Sequence, residues 1–132
     1  MKISTTGRYS LSLLIDLARH QNDEEYISLK KVAQRLKISF KYLEKIANML
    51  NKSNYLTVLR GKQGGYKLTR PIEEYNIAQI LQLTEKSMGQ LECILNPNSC
   101  QNINMCKKQK IFKGLDDTIN EYLSSYTLKD LI

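Results

Sequence analysis

Leu59-Arg60-Gly61-Lys62-Gln63-Gly64-Gly65-Tyr66-Lys67-Leu68 is the stretch on which the fold turns. Three glycines and three cations lie between two β-prone runs, residues 55–59 and 66–69. Glycine tolerates positive φ and close backbone approach, so the stretch predicts a β-hairpin. Arg60, Lys62 and Lys67 place positive charge on its tip. That charge suits an anionic partner, and it equally suits an idle, solvated surface hairpin. The flanking chain decides between the two.

Upstream, Ser28 stands as an N-cap before a short helix predicted over 29–37, whose core face is Leu29, Val32, Ala33 and Leu36. Ile38-Ser39 breaks the pattern, and Ser39 caps a second helix over 40–51 that buries Leu43, Ile46, Ala47 and Leu50. Two short helices with a tight junction make a helix-turn-helix. The second helix leaves Lys41, Tyr42, Glu44, Lys45 and Asn48 outside its core stripe, free to reach base edges and phosphates in a major groove. With the basic hairpin following at once, the expected fold is mainly α with a small β-hairpin, a winged helix-turn-helix.

A first helix is predicted over 6–19. Leu11, Leu14, Ile15 and Ala18 form one apolar stripe, and Leu13 and Leu17 a second. A helix apolar on two sides packs on two sides, one of them available to a partner. Downstream, Asn76 caps a helix predicted over 77–86. Residues 87–106 suit a loop and hold all three cysteines. A long helix over 105–126 repeats Phe112, Leu115, Ile119, Tyr122 and Tyr126 at steps of three and four, with Gly114 a weak point of about 1 kcal/mol. The expected organisation is a DNA-binding domain over 1–86, a cysteine-containing sensor loop over 87–106 and a C-terminal dimerisation helix over 107–132.

The formal charge of +7 is unevenly distributed. Residues 28–70 carry eleven cations against one anion, Glu44, whereas the segments on either side are close to neutral or acidic. One basic block ending in a glycine hairpin is the electrostatic footprint of a phosphate-backbone binder. No 18-residue apolar run predicts a transmembrane helix, and the opening Met-Lys-Ile-Ser-Thr-Thr lacks a signal peptide's apolar stretch. A cytoplasmic protein without membrane contact is expected. No histidine lies near the cysteines, no phosphate-loop motif is present, and 132 residues leave no room for a separate catalytic domain, so an enzyme is not expected. The single histidine, His20, falls at the end of the first helix, where a cation suits the dipole.

The opening through Tyr9, Ile27-Ser-Leu-Lys30, Lys41-Tyr-Leu-Glu44, and Arg60-Gly61 with Gly64-Gly-Tyr66 together resemble the Rrf2-type family of bacterial winged-helix regulators. That family includes the iron–sulfur regulator IscR, the nitric-oxide sensor NsrR and the cysteine-metabolism regulator CymR. The resemblance runs nearly the whole chain. It implies a homodimer on a roughly palindromic operator in double-stranded DNA, with the C-terminal helices crossing at the interface. It also implies a recognition helix in the major groove and Arg60 reaching towards the minor groove. The DNA-facing set expected from residues and resemblance together is Arg8, Ser28, Ser39, Phe40, Lys41, Tyr42, Glu44, Lys45, Arg60, Gly61, Lys62, Gln63, Gly64 and Tyr66.

The cysteines follow the spacing Cys93-x6-Cys100-x5-Cys106. Cluster-binding members of the family carry three cysteines in this loop, and here the first interval is one residue longer than their usual one. The resemblance implies an iron–sulfur cluster, [2Fe-2S] or [4Fe-4S], held by Cys93, Cys100 and Cys106; soft thiolates suit such a group. Where IscR-like members place a ligating histidine, this chain has Gln109. Where some nitric-oxide sensors use an aspartate, it has Arg8. The fourth ligand is therefore open. From spacing alone, ordinary loop thiols, a zinc site and a thiol redox switch stand beside the cluster.

Overall fold

In the computed structural model the described residues are 2–22, 25–85, 96, 98 and 106–132. Helix α1 spans Thr5–His20, α2 Leu29–Leu36 and α3 Phe40–Lys52. Strands β1 (Leu56–Leu59) and β2 (Gly65–Leu68) form an antiparallel hairpin in which Leu56 faces Leu68 and Val58 faces Tyr66. A 3-10 turn at Ile72–Glu74 leads into α4 (Ile77–Gln82), and α5 spans Lys107–Ser124. The winged helix expected from the sequence is present, with element ends shifted by a few residues.

Local chemistry explains several of the boundaries. Ser4 Oγ accepts from Gly7 N–H at the start of α1, and Asn76 Oδ1 accepts from Gln79 N–H at the start of α4. Each satisfies a backbone donor that the first helical turn leaves free. Lys37 takes the left-handed conformation (φ 56°) after α2 and ends it one residue earlier than expected. That residue turns the chain into α3. At the wing tip Gly61 has φ 119°, a conformation that a side chain makes costly. Gly65 serves close approach instead, because a Cβ there would run into the Ile27 carbonyl. The approach lets Ile27 and Tyr66 exchange two backbone hydrogen bonds of 2.9 Å each, so Ile27 adds a rung to the hairpin.

The core lies where α1, α3 and α4 converge under the hairpin. Leu13, Leu14, Leu17, Leu43, Ile46, Leu50, Tyr75 and Ile80 are buried there. The two stripes of α1 are both used, but unequally: Leu13, Leu14 and Leu17 are buried, while Leu11, Ile15 and Ala18 are only half-buried. Asp16 is 5% exposed and grips Arg35 of α2 through two bonds, 2.9 Å to Nε and 2.6 Å to Nη2. This bidentate pair fastens α1 to α2. His20 Nδ1 lies 2.9 Å from the Asp16 carbonyl at the end of the same helix, where its expected capping role places it.

The chain's last residues return to the core. Leu128 is fully buried, its N–H donates to Tyr75 O, and Ile77 N–H donates to Tyr126 O. Helix α5 itself contributes no buried residue, although Leu123 packs against the core's edge.

Candidate nucleic-acid interface

The exposed face of α3 carries Lys41, Glu44, Lys45, Asn48 and Lys52, which line one open groove together with Met49 and Ser53. Helical spacing puts the first five on one stripe opposite the buried Leu43, Ile46, Ala47 and Leu50. Ser39 begins the helix and accepts from Tyr42 N–H at 3.4 Å, and Phe40 beside it is 41% exposed.

A second groove forms where the start of α2 meets the wing. Tyr26, Ser28, Lys31, Leu59, Lys62, Gln63 and Gly64 are among its walls. Ser28 occupies the cap position of α2 without making a side-chain capping bond. Arg60 and Lys62 are exposed at the tip on either side of Gly61. Gly64 packs tightly beneath them, with Leu59 O where a Cβ would stand.

The wing and α3 are bonded to each other. Tyr66 Oη donates to Asn48 Oδ1 at 3.2 Å. Burial pushes the Tyr66 phenol above its usual range; the Glu44 carboxylate adds to that shift and the Arg60 guanidinium opposes it. The phenol therefore stays protonated at neutral pH and remains a donor. The bond thus ties the wing to the outer stripe of α3, and Arg60 lies at the tip of that same wing.

Several expected contacts take other positions. Tyr66 is only 9% exposed, and its ring packs in the core. Period-two alternation carries that signal, since Tyr66 and Leu68 share the buried face of β2. Tyr42 is half-buried. Its hydroxyl pairs with Thr6 Oγ1 at 2.6 Å and its ring meets Tyr9 edge-on at 5.8 Å. Lys67 is not at the tip: it pairs with Thr57 in mid-strand, and its amine sits 5.0 Å from the Tyr26 ring centroid. Arg35 is tied to Asp16, and Arg70 lies against Tyr55 and Tyr75. The basic block is therefore less free than its formal charge. Arg8 is exposed beside the Tyr9 ring, on the same edge as Tyr42.

Of the three cysteines, Cys106 stands half-buried at the cap of α5, and Cys93 and Cys100 lie outside the described residues. Among the described residues no three His, Cys, Asp or Glu side chains gather as a metal site would. Glu85, the last described residue before that segment, accepts from Ser4 N–H at 2.8 Å and from Ser4 Oγ at 2.6 Å. Nothing in the sequence pattern signalled that clasp.

A capped helix-turn-helix joined to a cationic two-stranded wing defines a winged-helix protein, and comparison with other proteins gives its lineage. The family described as Rrf2, Iron-dependent Transcriptional regulator, matches residues 3–132, and the chain belongs to that family of transcriptional regulators. It is 33% identical over 132 residues to Protein rrf2 of Nitratidesulfovibrio vulgaris, covering all of this chain and 87% of that protein. The solved structure of T. potens IscR is similar with a TM-score of 0.78 at 30% identity, over 99% of this chain and 85% of that one. CymR, described as the global cysteine regulator of B. subtilis, is similar with a TM-score of 0.75 at 30% identity, over 99% and 95%. These relatives are regulators and not enzymes. Among the described residues no helix is long and apolar enough to cross a membrane.

Proposed function

We propose that the chain is a homodimeric, DNA-binding transcription regulator whose cysteine loop senses iron–sulfur or redox status. The observation that carries the DNA reading is the bond from Tyr66 to Asn48, which ties the basic wing to the polar face of α3. In this reading Lys41, Glu44, Lys45 and Asn48 enter a major groove, Arg60 reaches an adjacent minor groove, and Arg8, Ser28, Ser39, Lys62 and Gln63 meet phosphates. Phe40 and the wing glycines Gly61 and Gly64 allow close approach to the duplex. The apolar face of α5 meets a second copy, which sets two recognition helices on a palindromic site. The domain plan of 1–86, 87–106 and 107–132 follows from this division of labour.

Cys93, Cys100 and Cys106 would hold the cluster. Their thiolates match iron's preference for sulfur, and the cluster when bound supplies a group labile to oxidants. Anaerobic purification with iron and sulfide analysis and a visible spectrum tests this. A coloured protein with stoichiometric iron and sulfide is expected. A chain that stays colourless after reconstitution, with its cysteines intact, removes the cluster. A cluster-free thiol sensor of the same fold is the second reading, favoured by the similarity to the oxidized form of Staphylococcus aureus CymR at 33% identity and a TM-score of 0.74. Mass spectrometry after mild oxidation, showing a disulfide and no metal, would establish it.

A further inference from the structure

Asn48 is the one uncharged polar residue on the stripe that α3 turns outward, and one end of its amide is already engaged. Its Oδ1 accepts the Tyr66 hydroxyl, which arrives from the wing. Its amide nitrogen bonds no group among the described residues, while the residue is exposed in the groove beside Lys41, Glu44 and Lys45. An asparagine with both ends free reads adenine bidentately, accepting from the exocyclic amine and donating to N7. An asparagine whose oxygen is turned towards the wing presents a donor.

We propose that Tyr66 is a positioning residue for base readout: its hydroxyl holds Asn48 Oδ1 so that the Asn48 amide nitrogen meets an acceptor on a base edge. This rests on the DNA reading above and adds to it a division of roles, in which a buried wing residue sets what the recognition helix reads. The acceptors available to such a donor in the major groove are purine N7, guanine O6 and thymine O4. Tyr66 suits the task. Its ring is fixed in the core, its backbone is pinned to Ile27 by two hydrogen bonds, and its partner strand residue is Val58. A loop residue would hold the amide less firmly.

The test uses the full chain. Wild-type protein first selects a site from a randomised double-stranded pool. Binding to every single-base-pair variant of that site is then measured for wild type, Tyr66→Phe, Asn48→Ala and the double variant. Asn48→Ala should flatten discrimination at one base pair per half-site by about fivefold, the scale of one base-edge hydrogen bond. Tyr66→Phe should alter the preference at that same base pair, towards adenine, and leave the other positions and the salt slope unchanged. The double variant should match Asn48→Ala alone, because Tyr66 acts through Asn48. Phenylalanine keeps the buried ring, and Asn48→Ala is an exposed change, so at least one variant reports on a folded protein.

A Tyr66→Phe profile identical to wild type overturns the proposal. So does a uniform loss at every position, which is what a merely structural tyrosine would give. If wild-type protein enriches no sequence from the pool, the DNA reading itself fails and this inference falls with it. Enrichment followed by an unchanged Tyr66→Phe profile removes this inference alone.

Discussion

The winged region and helix α5 solve opposite problems with similar materials. Between Thr5 and Gln82 most large apolar side chains are buried or half-buried against their own chain, and α1, α3 and α4 carry side-chain caps. Along α5 the apolar side chains recur just as regularly, yet Ile111 is 68% exposed and Tyr122 62%. An apolar stripe that its own domain leaves uncovered marks an interaction surface. On the homodimer reading, the first region stands alone and the second meets a partner. That contrast supports the homodimer more directly than the length of α5 does.

The strongest way to break the contrast is to charge α5. Ile111→Glu with Tyr122→Glu should weaken self-association by about 4 kcal/mol, roughly a thousandfold, and leave the melting of the winged region unchanged. Sedimentation equilibrium and circular dichroism read the two effects separately. The complementary change is Leu50→Ala, which opens a void where a side chain is fully buried. It should cost about 3 kcal/mol in urea denaturation, with α5 association unchanged once the protein is folded. A Leu50→Ala variant as stable as wild type would contradict the core described above.

Smaller changes sharpen the boundary between the two regions. Glu85→Ala removes both acceptor bonds to Ser4. A loss of about 2 kcal/mol is expected in the same denaturation assay, since hydrogen bonds to a charged group exceed neutral ones. Ser39→Ala removes the α3 cap and should cost about 1 kcal/mol. Thermal melts of the folded protein resolve a change of that size.

What was legible in the sequence is what depends on neighbouring residues. The caps at Ser39 and Asn76, the stripe of α3 and the glycine hairpin all declare themselves within a few residues, because they depend on local backbone chemistry. So does the unsatisfied stripe of α5. What stayed hidden depends on residues far apart in the chain. Asp16 sits inside an apolar helix, and only the fold shows that Arg35 of α2 neutralises it. Lys67 reads as tip charge in the sequence, whereas the register places it in mid-strand over Tyr26. Leu128 lies beyond the long helix and gives no periodic signal, yet it is fully buried beside Tyr75. Tyr66 was readable in part: its alternation with Leu68 indicates an inward ring, whereas its bond to Asn48 does not show in any sequence pattern.

The central claim is that one continuous face, the outer stripe of α3 together with the wing tip, carries the contacts to DNA. Affinity for the selected duplex, measured across a series of potassium chloride concentrations, tests it most directly. Wild type should show log affinity falling linearly and steeply with log salt, and Lys45→Ala and Arg60→Ala should each bind more weakly, with a slope shallower by about one. Unchanged affinity and unchanged slope in both variants would contradict the claim.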